Sequence, residues 1–200
     1  MVLTGMTKVL ELLIAGVLGY LLGAIPTGVL ICRAVRAPDA RWSGSGHTGG
    51  LNVSRSAGMW AGVLTGVIDA LLGLGAVAGA SALTDNPWAA TAAGVMAVVG
   101  HNWSAFIRFR GGIGLSTLFG AIFYLSPVAA LVMLIVLLPL WLMLIKLLRV
   151  HRARATILLT ATVGPLLWLL QLPWPGVLLG VFGGVMVILK TLPDWKRLYD

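Results

Sequence analysis

The sequence predicts an all-α integral membrane protein of about seven transmembrane helices, with the N-terminus outside and the C-terminus in the cytoplasm. Three observations support this prediction. Hydrophobic residues make up 59% of the 200 residues, charged residues make up only 10%, and the mean hydropathy is +1.00. Soluble domains contain about 25% charged residues. We expect residues 1–200 to form a single polytopic membrane domain.

Apolar runs that end at polar residues, proline or glycine divide the chain into seven predicted spans. The first span includes Lys8 and continues to Arg33 without a small-residue cleavage site, so we expect a retained helix rather than a signal peptide. The third and fourth spans are short, and re-entrant or tilted segments are the alternative for them. The predicted spans are residues 8–32, 56–82, 87–101, 112–125, 127–148, 156–171 and 175–190.

The positions of lysine and arginine predict the orientation of these spans. Thirteen of the fourteen basic residues lie in the segments 33–55, 102–111, 146–155 and 190–200, which alternating spans place on one side, and Lys8 alone lies opposite. Positively charged loops mark the cytoplasmic side of a membrane protein. The polar segments between the spans are therefore predicted to face the cytoplasm.

Composition and cysteine content exclude several classes of function. Cys32 is the only cysteine, so no internal disulfide can form, and neither CxxC nor HExxH occurs to hold a metal. The net charge of +8 is spread among membrane segments without a recognisable nucleic-acid-binding module. We expect no metal and no nucleic-acid partner, and we assign the positive charge to contacts with membrane lipids and phosphorylated substrates.

The first glycine-rich segment, residues 43–55, contains the residue types that bind phosphate. Glycines let backbone N–H groups approach an anion, while hydroxyl, amide and guanidinium groups donate hydrogen bonds to its oxygens. His47 is a candidate general base because imidazole titrates near neutral pH, and Arg55 is predicted to begin the next helix. Simple turn formation is the alternative explanation for the glycines. The predicted site residues are Gly44, Ser45, Gly46, His47, Gly49, Asn52 and Arg55.

The second glycine-rich segment, residues 101–117, repeats this combination and predicts a second anion-binding loop. Arg108 and Arg110 precede its glycines, and contact with lipid headgroups is the alternative for these arginines. His101 ends the third span, where a structural hydrogen bond is the alternative to ligand binding. The predicted substrate-binding residues are His101, Arg110, Gly111, Gly112, Gly114 and Thr117.

Asp69 lies inside the second predicted span, where an ionisable side chain costs roughly 2–3 kcal/mol or more unless it is paired or faces a cavity. One interpretation is that Asp69 supports the site by accepting hydrogen bonds from a loop. The other is a structural contact between helices. The sequence favours neither interpretation.

These segments resemble the bacterial PlsY-type acyl-phosphate:glycerol-3-phosphate acyltransferases. The resemblance extends over most of the chain and includes GYLLGAIPTG at residues 19–28. It continues through Asp39-x-Arg41, Gly44-Ser-Gly46-x-x-Gly49-x-x-Asn52-x-x-Arg55, Gly100-His101 and Phe109-x-Gly-Gly-x-Gly114-x-x-Thr117. It implies a seven-helix enzyme of the bacterial inner membrane, with its active site on the cytoplasmic side.

The resemblance also implies the reaction. A fatty acyl group leaves acyl phosphate and esterifies glycerol 3-phosphate, or a similar phosphorylated acceptor, to form lysophosphatidic acid in phospholipid synthesis, without metal, coenzyme A or another cofactor. By position, Ser45 and Arg55 belong to the catalytic segment, and Gly111, Gly112 and Gly114 to the phosphate-binding loop. We expect a monomer that works among membrane lipids.

Several residues depart from the family pattern. His47 replaces an asparagine, Ile113 replaces the lysine of GGKG, and Leu72 replaces a second lysine. Near the C-terminus, Thr191 and Asp194 replace a histidine and an asparagine. These departures keep a second hypothesis open, namely a catalytically impaired paralogue that retains the fold and binds lipid or phosphate ligands.

Overall fold

A computed structural model describes residues 2–197 of the protein, with side chains described from residue 5. This part of the chain forms ten α-helices and three short 3-10 turns, which confirms the all-α fold. The α-helices are α1 (Val2–Gly23), α2 (Thr27–Ala34), α3 (Gly50–Ala57), α4 (Met59–Leu83), α5 (Pro87–Asn102), α6 (Leu115–Leu125), α7 (Pro127–Lys146), α8 (Arg152–Ala161), α9 (Val163–Leu169) and α10 (Trp174–Thr191). The 3-10 turns are Ala40–Trp42, Ala105–Ile107 and Leu192–Asp194.

All seven predicted spans are helical, but two of them are divided. The first breaks at Pro26, whose ring removes the backbone N–H that a continuous helix needs, and the sixth changes from α8 to α9 at Thr162. The second span begins only after Gly58, because its first two predicted residues end the separate helix α3.

Four segments within residues 2–197 are long and apolar enough to cross a membrane: Gly5–Ala34, Met59–Leu83, Pro127–Lys146 and Trp174–Asp194. The Leu115–Leu125 helix is apolar but shorter. Seven crossings and the orientation of the termini stay predictions, and residues 1 and 198–200 lie outside the described residues. Apolar side chains on the outer helices are left for lipid to cover, and Ile135 of α7 is 70% exposed.

Small residues bring helix backbones into direct contact. A Cβ atom on Gly23 would lie 1.9 Å from the Ala97 carbonyl oxygen, and one on Gly100 would lie 2.2 Å from that of Tyr20, so α1 and α5 admit no larger residue here. Gly120 of α6 meets the backbone of α4 in the same way. These contacts place α5 directly against α1 and α6 against the middle of α4.

The largest apolar core surrounds α10. Leu179 and Val187 of that helix are fully buried and belong to one cluster with Val98, Ile122 and Leu167 from three other helices. This packing fixes the C-terminal end of α10 against the end of α5. It also brings the 3-10 turn Leu192–Asp194 toward both glycine-rich segments.

Polar contacts fasten the second glycine-rich segment to the break between α1 and α2. The Ser104 hydroxyl donates a hydrogen bond to the Ala24 carbonyl at 2.5 Å, and the Tyr20 hydroxyl donates to the Trp103 carbonyl at 2.8 Å. Carbonyls at a helix end need such partners because the helix itself supplies none. The broken helix and the second segment therefore form one rigid unit.

Candidate functional site

Both glycine-rich segments contribute to one cavity of about 360 Å³. It lies between α3, α4, the start of α6, the start of α8 and the turn that follows α10. Eight of the residues predicted from the sequence line it: Ser45, His47, Gly49, Asn52, Arg55, Asp69, His101 and Gly114. The structure thus unites two segments that lie about 60 positions apart in the sequence.

Asn52 organises the first glycine-rich segment. Its side chain is buried, and its amide nitrogen donates hydrogen bonds to the carbonyls of Ala40, Ser43 and His47 at 3.2, 2.8 and 3.0 Å. Its amide oxygen accepts from the Ser45 backbone N–H at 3.4 Å and from the Arg55 guanidinium at 3.0 Å. One side chain therefore fixes the curvature of the segment and the position of its arginine.

Arg55 is held against a glycine that has no room for a side chain. Gly44 has a φ of +48°, and a Cβ atom there would lie 2.2 Å from an Arg55 guanidinium nitrogen. The prediction that Arg55 begins a helix is wrong, since α3 begins at Gly50 and Arg55 lies in its last turn. Because the Asn52 side chain binds carbonyls of the preceding segment, helix α3 begins at Gly50, earlier than the glycine pattern indicated.

His47 forms an ion-pair-like contact with a residue from the C-terminal turn. Its Nε2 lies 2.6 Å from Oδ2 of Asp194, whose other oxygen contacts Arg197 at 3.3 Å. Burial lowers the pKa of His47 below its usual value, while the Asp194 carboxylate opposes that change in pKa. The imidazole thus joins the first segment to the end of α10.

The glycines of the second segment allow close packing on the end of α5. The Gly112 N–H donates to the His101 carbonyl at 3.0 Å, and a Cβ atom on Gly112 would lie 2.2 Å from His101 Nε2. Gly114 has a φ of +85° and packs against the Asn102 side chain. The buried oxygen of that side chain and the Thr117 hydroxyl have no hydrogen-bond partner within residues 5–197.

Asp69 connects three helices below the cavity. It accepts a hydrogen bond from the Thr27 hydroxyl of α2, and its Oδ1 lies 3.6 Å from Nδ1 of His101 at the end of α5. The hydrogen bond comes from a helix rather than a loop. The structural contact between helices is therefore observed, and because Asp69 also lines the cavity, its support of the site stays a prediction.

Some predicted residues lie outside the cavity wall. Gly44, Gly46, Gly111, Gly112 and Thr117 lie behind it, where they shape the backbone that carries the lining residues. Arg110 lies apart, on a second cavity that shares no residue with the first. Although Arg110 is adjacent to Gly111 in the sequence, it does not line the polar cavity.

Several polar lining residues were not predicted as site residues, among them Ser116, Arg152, Thr156 and Asp194. Arg152 is one of the basic residues of the segment 146–155, whose charge the sequence analysis assigned only in general to membrane lipids and phosphorylated substrates, and Asp194 was named only as a departure from the family pattern. Neither residue lies near a glycine-rich segment in the sequence. No group of three or more His, Cys, Asp or Glu side chains that could hold a metal ion occurs among residues 2–197.

Together, the helices and the cavity define an integral membrane protein with a polar, arginine-containing site between its helices. The family profile described as glycerol-3-phosphate acyltransferase matches residues 13–200, and the chain belongs to this family. This finding confirms the resemblance inferred from the motifs.

Individual relatives agree. A glycerol-3-phosphate acyltransferase of Rubrobacter xylanophilus is 41% identical over 190 residues, which cover 94% of this chain and 92% of the relative. Glycerol-3-phosphate acyltransferase 1 of Deinococcus radiodurans is 37% identical over 190 residues, covering 94% and 82%. The crystal structure of PlsY, an integral membrane glycerol 3-phosphate acyltransferase, in its glycerol 3-phosphate form has a TM-score of 0.80 and 28% identity and covers 93% of this chain and 90% of PlsY. Its lysophosphatidic acid form has a TM-score of 0.78.

Proposed function

We propose that this protein transfers a fatty acyl group from acyl phosphate to the 1-hydroxyl of glycerol 3-phosphate, forming lysophosphatidic acid for phospholipid synthesis. One observation carries the proposal: the arginine-containing cavity continues directly into an apolar groove. The relatives support it, since glycerol-3-phosphate acyltransferase is their shared name and PlsY has been crystallised in glycerol 3-phosphate and lysophosphatidic acid forms.

The apolar groove has a volume of about 530 Å³ and runs between α4, α6, α7 and α8. It shares lining residues with the polar cavity, among them Val63, Ser116, Trp141 and Thr156. The Trp141 indole N–H donates to the Thr156 hydroxyl at 3.0 Å, so the junction is polar while the groove beyond it is apolar. An acyl chain in the groove would place its carbonyl carbon at this junction.

Two arginines face the cavity from different elements. Arg55 comes from α3 and Arg152 from the start of α8, and each can form paired hydrogen bonds to phosphate oxygens. Ile113 lines the same cavity at the position where the resemblance has a lysine. We infer that Arg152 provides the second cation, so that the donor and the acceptor phosphate each meet a guanidinium group.

His47 is proposed as the general base. The Asp194 carboxylate accepts a hydrogen bond from the Nε2–H of neutral His47, and the acceptor hydroxyl gives its proton to the other ring nitrogen, Nδ1. The hydroxyl oxygen then bonds to the acyl carbon as the bond from that carbon to the phosphate oxygen breaks. The Ser45 hydroxyl, Arg55 and Arg152 stabilise the charge that develops on the carbonyl and leaving oxygens.

We further propose that the protein crosses the bacterial inner membrane seven times as a monomer, with this cavity on the cytoplasmic side. The distribution of lysine and arginine supports this topology.

The competing hypothesis is an impaired paralogue, and Ile113 and Thr191 favour it because both replace polar groups of the family pattern. The test is purified protein in detergent with palmitoyl phosphate and labelled glycerol 3-phosphate. We expect labelled lipid from the wild type and from Arg149→Ala, and at least about 100-fold less from Ser45→Ala, His47→Ala and Arg55→Ala. If palmitoyl phosphate stays intact with every form of the protein, including the wild type, the protein is the impaired paralogue instead.

A further inference from the structure

Arg110, which the sequence analysis assigned to the substrate site, lines a different cavity. This second cavity has a volume of about 600 Å³ and lies between α2, the 3-10 turn Ala40–Trp42 and the second glycine-rich segment. Its walls include Arg33, Arg41, Trp42, Phe106, Arg108 and Arg110, none of which lines the polar cavity described above. Four guanidinium groups from three separate parts of the chain thus converge on one space.

These positive charges are only partly compensated. Asp39 forms an ion pair with Arg41 at 2.6 Å, and the Arg41 guanidinium holds the pKa of Asp39 below its usual value. Within residues 5–197, no carboxylate lies within 4.0 Å of a charged nitrogen of Arg33, Arg108 or Arg110. Positive charges that lie close together repel each other, and a bound anion would offset this repulsion.

The turn that carries two of these arginines is held in an uncommon backbone conformation. Arg108 and Phe109 have φ values of +55° and +61°, in the left-handed region that side chains disfavour. The Phe109 N–H donates to the Ser104 carbonyl at 2.8 Å, and Ser104 is itself bonded to Ala24. The turn is thereby fixed to the break between α1 and α2, and its two arginines line the same cavity as Arg33.

Aromatic side chains beside the arginines indicate the kind of ligand. Trp42 is 77% exposed and Phe106 is 59% exposed, although both are large and apolar. They line the second cavity together with Leu30 and Arg33, which lie near the end of the candidate membrane span Gly5–Ala34. Aromatic and basic residues occur together at the level of the lipid headgroups, where apolar surface meets acyl chains and cations meet phosphate.

We propose that this second cavity binds an anionic phospholipid of the surrounding bilayer, with Arg33, Arg108 and Arg110 on its phosphate and with Trp42 and Phe106 against its acyl chains. A phospholipid satisfies both halves of the site, whereas a soluble phosphate leaves the aromatic side chains exposed. The site is separate from the proposed acyl transfer and does not depend on it.

The experiment measures lipid binding by native mass spectrometry on the full-length protein in detergent. Dioleoyl phosphatidylglycerol is titrated against dioleoyl phosphatidylcholine. We expect the wild type to prefer phosphatidylglycerol, and the double variant Arg108→Gln/Arg110→Gln to bind it about tenfold more weakly. The matched control Lys146→Gln/Arg149→Gln removes the same charge elsewhere and is expected to change the affinity less than about twofold.

Because Arg108 lies in a tight turn, Arg33→Gln on helix α2 serves as an independent variant and is expected to weaken binding about fivefold. Equal affinities in the wild type and in both cavity variants, or an equal loss in the control, would overturn the proposal. So would glycerol 3-phosphate or inorganic phosphate displacing the lipid at equal concentration, which would identify a soluble anion as the ligand. Since no acyl transfer is measured, the result is independent of catalytic activity.

Discussion

His47 Nε2 lies 2.6 Å from Asp194 Oδ2, although 147 positions separate the two residues in the sequence. Their side chains are 17% and 4% exposed, so this contact is largely shielded from water at the edge of the cavity. A carboxylate that accepts a hydrogen bond from one ring nitrogen fixes the tautomer of the imidazole and makes its other nitrogen more basic. The first glycine-rich segment and the end of α10 thus form one catalytic unit in the proposed reaction.

Asp194→Asn is expected to reduce kcat about 100-fold, because the amide no longer supports the proton that His47 takes up. Asp194 raises the pKa of His47 against the effect of burial, so its loss lowers that pKa further. The rate depends on neutral His47 and falls as the pH drops through the pKa. The acidic limb of the pH–rate profile should therefore shift to lower pH in the variant.

Asp85→Asn, a change at an exposed acid between α4 and α5, is the matched control and should leave the profile unchanged. Asp194→Glu should recover part of the rate. An Asp194→Asn enzyme with normal kcat and an unshifted acidic limb would show that Asp194 has only a structural function.

Gly44→Ala is expected to displace Arg55 and to lower kcat/KM at least about tenfold. The new Cβ would lie 2.2 Å from the guanidinium nitrogen, and the φ of +48° adds roughly 1 kcal/mol or more of backbone strain. Gly75→Ala is the control, since a Cβ there has no atom within 4 Å. Activity and thermal unfolding are measured for both, and a normal Gly44→Ala enzyme would refute the assigned position of Arg55.

Asn52→Ala should destabilise the protein by about 2–4 kcal/mol, because it removes a buried side chain that donates to the carbonyls of Ala40, Ser43 and His47. Asn52→Asp should cost at least as much, since a carboxylate cannot donate to a carbonyl. Asn86→Ala, which removes the N-cap of α5, is expected to cost only about 1 kcal/mol. Thermal unfolding in detergent ranks the three variants, and equal losses at both asparagines would contradict the organising function of Asn52.

Arg152→Gln is expected to raise the KM of a phosphorylated substrate about tenfold or more, because a charge-assisted hydrogen bond to phosphate contributes roughly 1.5–3 kcal/mol. If Arg152 compensates for the missing lysine, Ile113→Lys should restore part of the affinity to the Arg152→Gln variant, since both side chains line one cavity. Steady-state kinetics of the wild type, both single variants and the double variant test this coupling. Strictly additive effects of the two substitutions would contradict it.

The helices were predictable because apolar runs and proline or glycine breaks report directly on local backbone geometry. The predicted starts and ends of five spans lie within a few residues of the observed helices, and Pro26 explains the break in the first. The start of α3 was not predictable from the glycine pattern. The start of this helix depends on hydrogen bonds from the Asn52 side chain to three carbonyls. These bonds form only in the folded chain, so no local sequence pattern reports them.

The site was predictable where its residues are neighbours in the sequence. Ser45, Asn52 and Arg55 share one short segment and meet at the cavity. Asp194 and Arg152 reach it only through the packing of α8 and α10, which no local pattern reports. Arg110 shows the opposite case, because the left-handed turn at Arg108 and Phe109 directs it to another cavity despite its glycine neighbours.

The most direct test of the proposed function follows both products of one reaction. Purified protein is given palmitoyl phosphate and labelled glycerol 3-phosphate, and released phosphate is counted against labelled lysophosphatidic acid. The proposed mechanism predicts one phosphate for each labelled lipid at every time point. Release of phosphate without labelled lipid would contradict it.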